Sequence, residues 1–192
     1  MQKGERIETA TLRLLDDLAN RFAGESASYR SYSRYDKSRP EYRHYLVPST
    51  FIGRINGYDT TIQVHRRRLK PGQCSLLVKV HVPSNIDISI KHEHIDEKVR
   101  RFFGLSNEFQ TGDKYFDDSY LLRIGSRVDQ MLLKDPDFRE TVCKLEPFRF
   151  LNINCNEISI CRNMTSVADL EFIQIEPILT SLGDIARRIC KS

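Results

Sequence analysis

Asn56-Gly57 stands between two short runs, Thr50 to Ile55 and Asp59 to Arg66, and no other feature constrains the fold of this chain as tightly. An Asn-Gly pair between strand-like runs is the strongest short-range hairpin signal, so the two runs are predicted to pair antiparallel. In the second run Thr60, Ile62 and Val64 point one way, while Thr61, Gln63 and His65 point the other. That alternation suits a sheet with one face buried. Pro71-Gly72 turns the chain again. Ser75 to Val82 then places Leu76, Val78, Val80 and Val82 on one face, with Leu77, Lys79 and His81 on the other. Beyond Pro83-Ser84-Asn85, Ile86, Ile88 and Ile90 alternate with Asp87, Ser89 and Lys91. The reading is an antiparallel meander of about four strands.

The segments on either side carry helical spacing. Ile7, Ala10, Leu14, Leu18 and Phe22 recur at intervals of three and four, which predicts an amphipathic helix from Glu5 to Ala23, stopped by Gly24. Two uses fit it: packing on the domain's own core, or an arm that pairs with another chain. Between Thr111 and Leu145 the chain changes from strand to helix. Gly112-Asp113 opens a turn, Asn107 to Lys114 reads as loop, and Tyr120 to Ile124 reads as a strand closed by Gly125-Ser126. Val128, Met131 and Leu132, then Phe138, Val142 and Leu145, recur at helical spacing. The second of these helices starts at Asp135-Pro136, an N-cap residue followed by proline at the first helical position. Phe148 to Asn152 and Glu157 to Arg162 are strands around Asn154-Cys155-Asn156. The tail, Ile178 to Ile189, is a helix broken or kinked upstream by Pro177. Glu97 to Gly104 is a short helix or turn.

The fold class predicted is α+β: an antiparallel sheet of about five to seven strands with helices 127–145 and 176–190 packed on one face, preceded by the N-terminal amphipathic helix. Residues 1–45 hold that helix and a linker, and residues 46–192 form one α+β domain.

Composition excludes more than it suggests. Forty per cent apolar and 29% charged residues are ordinary for a soluble globular protein. Five cysteines, at 74, 143, 155, 161 and 190, form no C-x-x-C pair, which predicts reduced thiols and a cytoplasmic location. MQKGERIETA lacks the apolar run of a secretory signal, and no window reaches the roughly 18 apolar residues of a membrane span. No G-x-S-x-G, P-loop or G-x-G-x-x-G is present, which removes the commonest hydrolase and nucleotide mechanisms.

Three clusters are candidates for chemistry. The densest positive run, His65-Arg66-Arg67-Arg68-Leu69-Lys70, could meet phosphates, anionic headgroups or an acidic partner; otherwise it is a solvated loop. Ser26 to Tyr45 holds five of the eight tyrosines interleaved with Arg30, Arg34, Lys37, Arg39 and Arg43. Aromatic faces and arginines can bind single-stranded nucleic acid, and the plainer reading is a linker beside the sheet edge. Arg30, Arg34 and Arg43 are candidate neighbours of the 65–70 patch. His92 and His94 project to one side of a strand end and could reach one metal with Asp96, helped by Asp113 or Asp117. Asp113, Asp117 and Asp118 could themselves be a carboxylate cluster for magnesium or acid-base work; the plainer reading gives Asp113 and Asp117 turn-capping roles, with Phe116 as the core anchor between them. No metal, cofactor or catalytic residue is assigned.

One pattern carries a resemblance. The F-I-G-R-I-N-G strand and turn, the Gly112-Asp113-x-x-Phe116-Asp117 turn, the strand Tyr120 to Ile124 and a helix marked by Leu132, Leu133, Arg139 and Leu145 occur in this order, ahead of a β-hairpin and a closing helix. Over about Val47 to Ile189 this resembles an uncharacterised bacterial family of unknown function. The resemblance implies the fold and no catalytic residues. Some such proteins carry membrane-spanning helices ahead of this domain, a place taken here by the helix 5–23. The function expected is that of a non-enzymatic soluble module for protein interaction or scaffolding, with a protein partner or self-association through that helix. The alternatives are a nucleic-acid-binding module and a metal-dependent hydrolase.

Overall fold

The computed structural model describes residues 7–27, 31–32, 45–46, 49–66, 74–92 and 109–190. In chain order these form α1 (Ile7–Arg21), β1 (Gly24–Ala27), β2 (Ser31–Tyr32), β3 (Tyr45–Leu46), β4 (Ser49–Ile55), β5 (Tyr58–Arg66), β6 (Cys74–His81) and β7 (Ile88–His92). There follow α2 (Lys114–Ser119), β8 (Tyr120–Ile124), α3 (Arg127–Lys134), α4 (Pro136–Lys144), β9 (Phe150–Asn154), β10 (Glu157–Met164), a single 3-10 turn (Ala168–Leu170) and α5 (Phe172–Ile189).

The Asn56-Gly57 hairpin forms as expected. Both residues take positive φ, 53° and 87°, the conformation for which Asn and Gly are suited, and β4 pairs antiparallel with β5. The sheet built on this hairpin has eight antiparallel strands in the order β1-β4-β5-β6-β10-β9-β7-β8. The expectation of five to seven strands was too low. The strand it lacked is β1, read from sequence as the helix stop and the start of the linker. Gly24 of β1 lies opposite Gly53 of β4. A Cβ on Gly24 would come within 2.7 Å of the Phe51 ring, and one on Gly53 within 2.5 Å, so the two glycines make room for that side chain.

The four-strand meander also needs correction. β4, β5 and β6 follow one another, but the β9–β10 hairpin inserts between β6 and β7. Periodicity assigns faces and says nothing about which strand lies beside which.

One face of the sheet is the core. A single row crosses seven strands, Phe51, Ile62, Val78, Ile160, Leu151, Ile90 and Leu122, each opposite the next. None is more than 1% exposed. Burying such a side chain contributes about 1.5–3 kcal/mol. The helices join this face in one apolar cluster, through Ala10, Leu14 and Leu18 of α1, Leu133 of α3, Phe138 and Val142 of α4, and Ile175, Leu182 and Ile185 of α5. The predicted stripe of α1 is therefore buried in the chain's own core, and an arm reaching another chain has no apolar stripe left to use.

α4 starts as expected, with Asp135 accepting from Asp137 N and Pro136 in the first turn. α5 does not break at Pro177; it runs unbroken from Phe172 to Ile189. Pro177 lies in the second turn, where the ring forgoes one backbone bond near the helix start, and nine buried side chains hold the helix regardless. α2 stands where the sequence predicts only the Gly112-Asp113-x-x-Phe116-Asp117 turn; Phe116, its one buried apolar side chain, leaves no periodicity to detect.

Candidate functional site

The Gly112-Asp113-x-x-Phe116-Asp117 turn is built from backbone demands. Gly112 has φ 90°. Asp113 caps α2 by accepting from Phe116 N at 3.2 Å. The Asp117 carboxylate accepts from Thr111 N and Thr111 Oγ1, both at 2.9 Å, and from Gly112 N at 2.9 Å. Phe116, 1% exposed, packs its ring 4.7 Å from that of Tyr120. This is the capping role read from sequence, with Phe116 as the anchor. Asp118 points to solvent.

Tyr120 begins β8 and is wholly buried. Its ring stacks on Phe148 at 5.6 Å, and the His92 ring lies 5.2 Å from it and 5.3 Å from Phe148. The Tyr120 hydroxyl donates to Glu146 Oε1. Burial, then the Glu146 acceptor and the nearby Cys143, drive its pKa far above the usual phenol range, so it remains a donor. Burial likewise pushes the Cys143 thiol up, away from the thiolate a nucleophile requires. Arg139 closes the cluster. Its Nη1 donates to the last carbonyls of α3, Leu133 O at 3.1 Å and Lys134 O at 2.7 Å. Its Nε lies 3.3 Å from Asp113 Oδ2, off-axis for a hydrogen bond. The guanidinium thus ties α3, α4 and the start of α2 together. Cys74 and Cys161 are small buried side chains, whereas Cys143 is half-buried in this polar cluster.

Sequence reasoning missed Asp129. It has no exposed surface, and its carboxylate accepts from Gly125 N, Ser126 N and Asp87 N. Ser126 Oγ accepts from Asp129 N in return, a reciprocal cap that also latches the chain ahead of β7 onto the turn after β8. The signal was present: Ser126 and Asp129 stand three apart at a helix start.

His92 is held in the aromatic stack, and His94 and Asp96 lie outside the described residues. Among the described residues no group of three or more His, Cys, Asp or Glu side chains is placed to hold a metal ion. Of the basic run, His65 is half-buried, with Nε2 3.3 Å from Gln63 Oε1, and burial lowers its pKa. At neutral pH it is therefore uncharged and adds nothing to the patch. The Arg66 backbone pairs with Cys74 at the sheet end. Arg67, Arg68 and Lys70 lie outside the described residues, as do Arg30, Arg34 and Arg43. Within the segment read as a linker, β2 pairs with β3, Ser31 opposite Leu46 and Tyr32 opposite Tyr45.

An open groove of about 530 Å³ runs between α4 and α5, lined by Asp137, Glu140, Lys144, Asp184, Arg187 and Arg188. Its charges are matched: Arg188 pairs with Asp135 and Asp137, Lys144 with Glu140, and Arg187 with Asp184. Such pairs offer a ligand little.

These features define a class of architecture, an antiparallel sheet with its helices gathered on one face and its internal acids capping backbone. No protein-family model matches the chain, and no curated protein matches it. Among solved structures, the chain is similar to the crystal structure of the mycobacterial trehalose monomycolate transport factor A, TtfA, with a TM-score of 0.50 and 8% identity. The match covers 92% of this chain and 94% of that one, and at this identity it shows the fold alone. No helix among the described residues is long and apolar enough to cross a membrane.

Proposed function

We propose that this chain is a non-enzymatic accessory protein that acts by binding a protein partner. The observation that carries the reading is the use of its internal acids. Asp117 and Asp129, both buried, accept from backbone N–H groups, as does the half-buried Asp113, while Glu146, itself exposed, accepts from a phenol with no accessible surface. Carboxylates engaged in this way hold turns and helix ends, and are poorly placed to move protons. The likeness to a protein described as a transport factor supports an accessory role. The contact surface we assign is the basic run that begins at Arg66, since the stripe of α1 is buried in the core.

The test is affinity capture with the wild-type chain and an Arg66→Glu/Arg67→Glu/Arg68→Glu variant, beside metal analysis and a screen of generic ester and phosphoester substrates. The reading expects a discrete protein retained by the wild type and lost by the variant, with no turnover. Stoichiometric metal with turnover would overturn it. Retention of RNA or single-stranded DNA that falls steeply with salt would replace it with the nucleic-acid alternative.

A further inference from the structure

Six large apolar side chains among the described residues stand clear in solvent: Leu12, Ile52, Tyr115, Val128, Met131 and Ile173. Scattered singly, such residues are ordinary. Val128 and Met131 differ, because they lie three apart on α3 and so share one face of it. Their exposures are 47% and 70%. Arg127 and Lys134, both exposed, extend the same face. The helical spacing groups Val128 and Met131 with Leu132, but the buried face of α3 is Asp129, Leu132 and Leu133.

The one acid of α3 is thereby withdrawn, fully buried beneath the N–H groups of Asp87, Gly125 and Ser126. What faces outward is Arg127, Val128, Met131 and Lys134: two cations, two apolar side chains and no carboxylate. Among the described residues neither Arg127 nor Lys134 makes an ion pair. The helix is fixed at both ends, by the Ser126–Asp129 capping box and by Arg139 on its last carbonyls. The stripe is presented ready-made, with no ordering required on contact.

We propose that this stripe docks the protein peripherally on an anionic bilayer surface. Val128 and Met131 enter the boundary between headgroups and acyl chains, while Arg127 and Lys134 meet lipid phosphates, the division of labour of an interfacial amphipathic helix. Charge complementarity selects an anionic surface. A methionine 70% exposed stands above its surroundings, and a fluid interface accepts such a knob without a matching pocket. Each cation close to an anionic leaflet strengthens partitioning about fivefold.

The test is co-sedimentation of the full chain with phosphatidylcholine vesicles, with and without phosphatidylglycerol. Pelleting is expected only with phosphatidylglycerol, and weaker as salt screens the charges. Arg127→Gln combined with Lys134→Gln lowers partitioning about 25-fold. Met131→Glu lowers it about tenfold or more, by placing a charge where an apolar group inserted. Both changes are at exposed positions, so an unchanged thermal midpoint confirms that the variants fold. The proposal is overturned if the wild type stays in the supernatant with phosphatidylglycerol. It is also overturned if the α3 variants pellet like wild type while Arg66→Gln/Arg67→Gln/Arg68→Gln does not, which moves the contact to the basic run. Neither result bears on capture of a protein partner, which is read separately.

Discussion

The two faces of the sheet lie one residue out of phase along every strand, and a row read across each shows how differently they are used. On the helix-covered face the row is Phe51, Ile62, Val78, Ile160, Leu151, Ile90 and Leu122, every member buried. On the other face the neighbouring row is Ile52, Thr61, Lys79, Ser159, Asn152, Ser89 and Arg123. There Lys79 pairs with Glu157 at 3.0 Å, and Ser89 Oγ donates to Asn152 Oδ1 at 2.8 Å. The second row joins side chains by local polar bonds and contributes nothing to the apolar cluster. Packing dictates residue type on the first face, whereas on the second the requirement is only that polar groups find partners or water. Any selection for binding is therefore freest to act on the second face and on the loops, where sequence pattern says least.

Adjacent substitutions break or sharpen this contrast most directly. Phe51→Ala removes a buried ring and is expected to cost about 4 kcal/mol, whereas Ile52→Ala, at a side chain 60% exposed, stays within about 0.5 kcal/mol. Equal costs in urea unfolding would mean that the two faces are not divided as described. Next in size is Asp129→Ala. It strands three backbone N–H donors and should cost about 3 kcal/mol, while Asp118→Ala, exposed one helix earlier, should again stay within about 0.5 kcal/mol. Tyr120→Phe keeps the stacked ring and loses the bond to Glu146, for an expected loss of about 1.5 kcal/mol. Its pH signature follows from a folded pKa above the unfolded value near 10. The stabilisation is fully present below pH 10 and fades as pH rises toward the folded pKa, so the wild type, and not the Phe variant, loses this increment in alkali.

The smallest effect belongs to His65. Its folded pKa lies below the ordinary 6.5, so the neutral form is favoured in the native state. The associated stability is present above about pH 6.5 and declines as pH falls through the folded value. Thermal midpoints measured from neutral to mildly acid pH should therefore fall less for His65→Gln than for wild type. The opposite ordering would mean that His65 is charged in the folded chain and belongs to the basic patch after all.

Much of this fold was legible in local pattern. Asn56-Gly57, the isoleucines at 86, 88 and 90, and Asp135-Pro136 all did what their chemistry dictates. What was not legible has a common cause. The place of β9 and β10 between β6 and β7 depends on which edges meet, and alternation carries no such information. β1 is short, and its glycines matter only through the Phe51 ring opposite. Pro177 was overruled by the buried face of α5. Val128 and Met131 fit a helical stripe by spacing, yet α3 turns Asp129 inward because three backbone donors await it. The candidate site was read less completely. The capping roles of Asp113 and Asp117 followed from turn chemistry. The meeting of Tyr120, Cys143 and Glu146 joins two segments distant in sequence, and no local signal announces it.

The central claim is that the internal acids of this protein are structural, and Asp117→Asn tests it most directly. The substitution preserves shape but replaces one acceptor oxygen with an NH2 group, so the side chain can no longer accept from both Thr111 N–H and Gly112 N–H. Urea unfolding of this variant beside wild type should show a loss of about 2 kcal/mol, the cost of a buried donor left without its charged acceptor. Unchanged or increased stability, accompanied by loss of a bound metal or of a measurable turnover, would contradict the account and mark the turn as a site of chemistry.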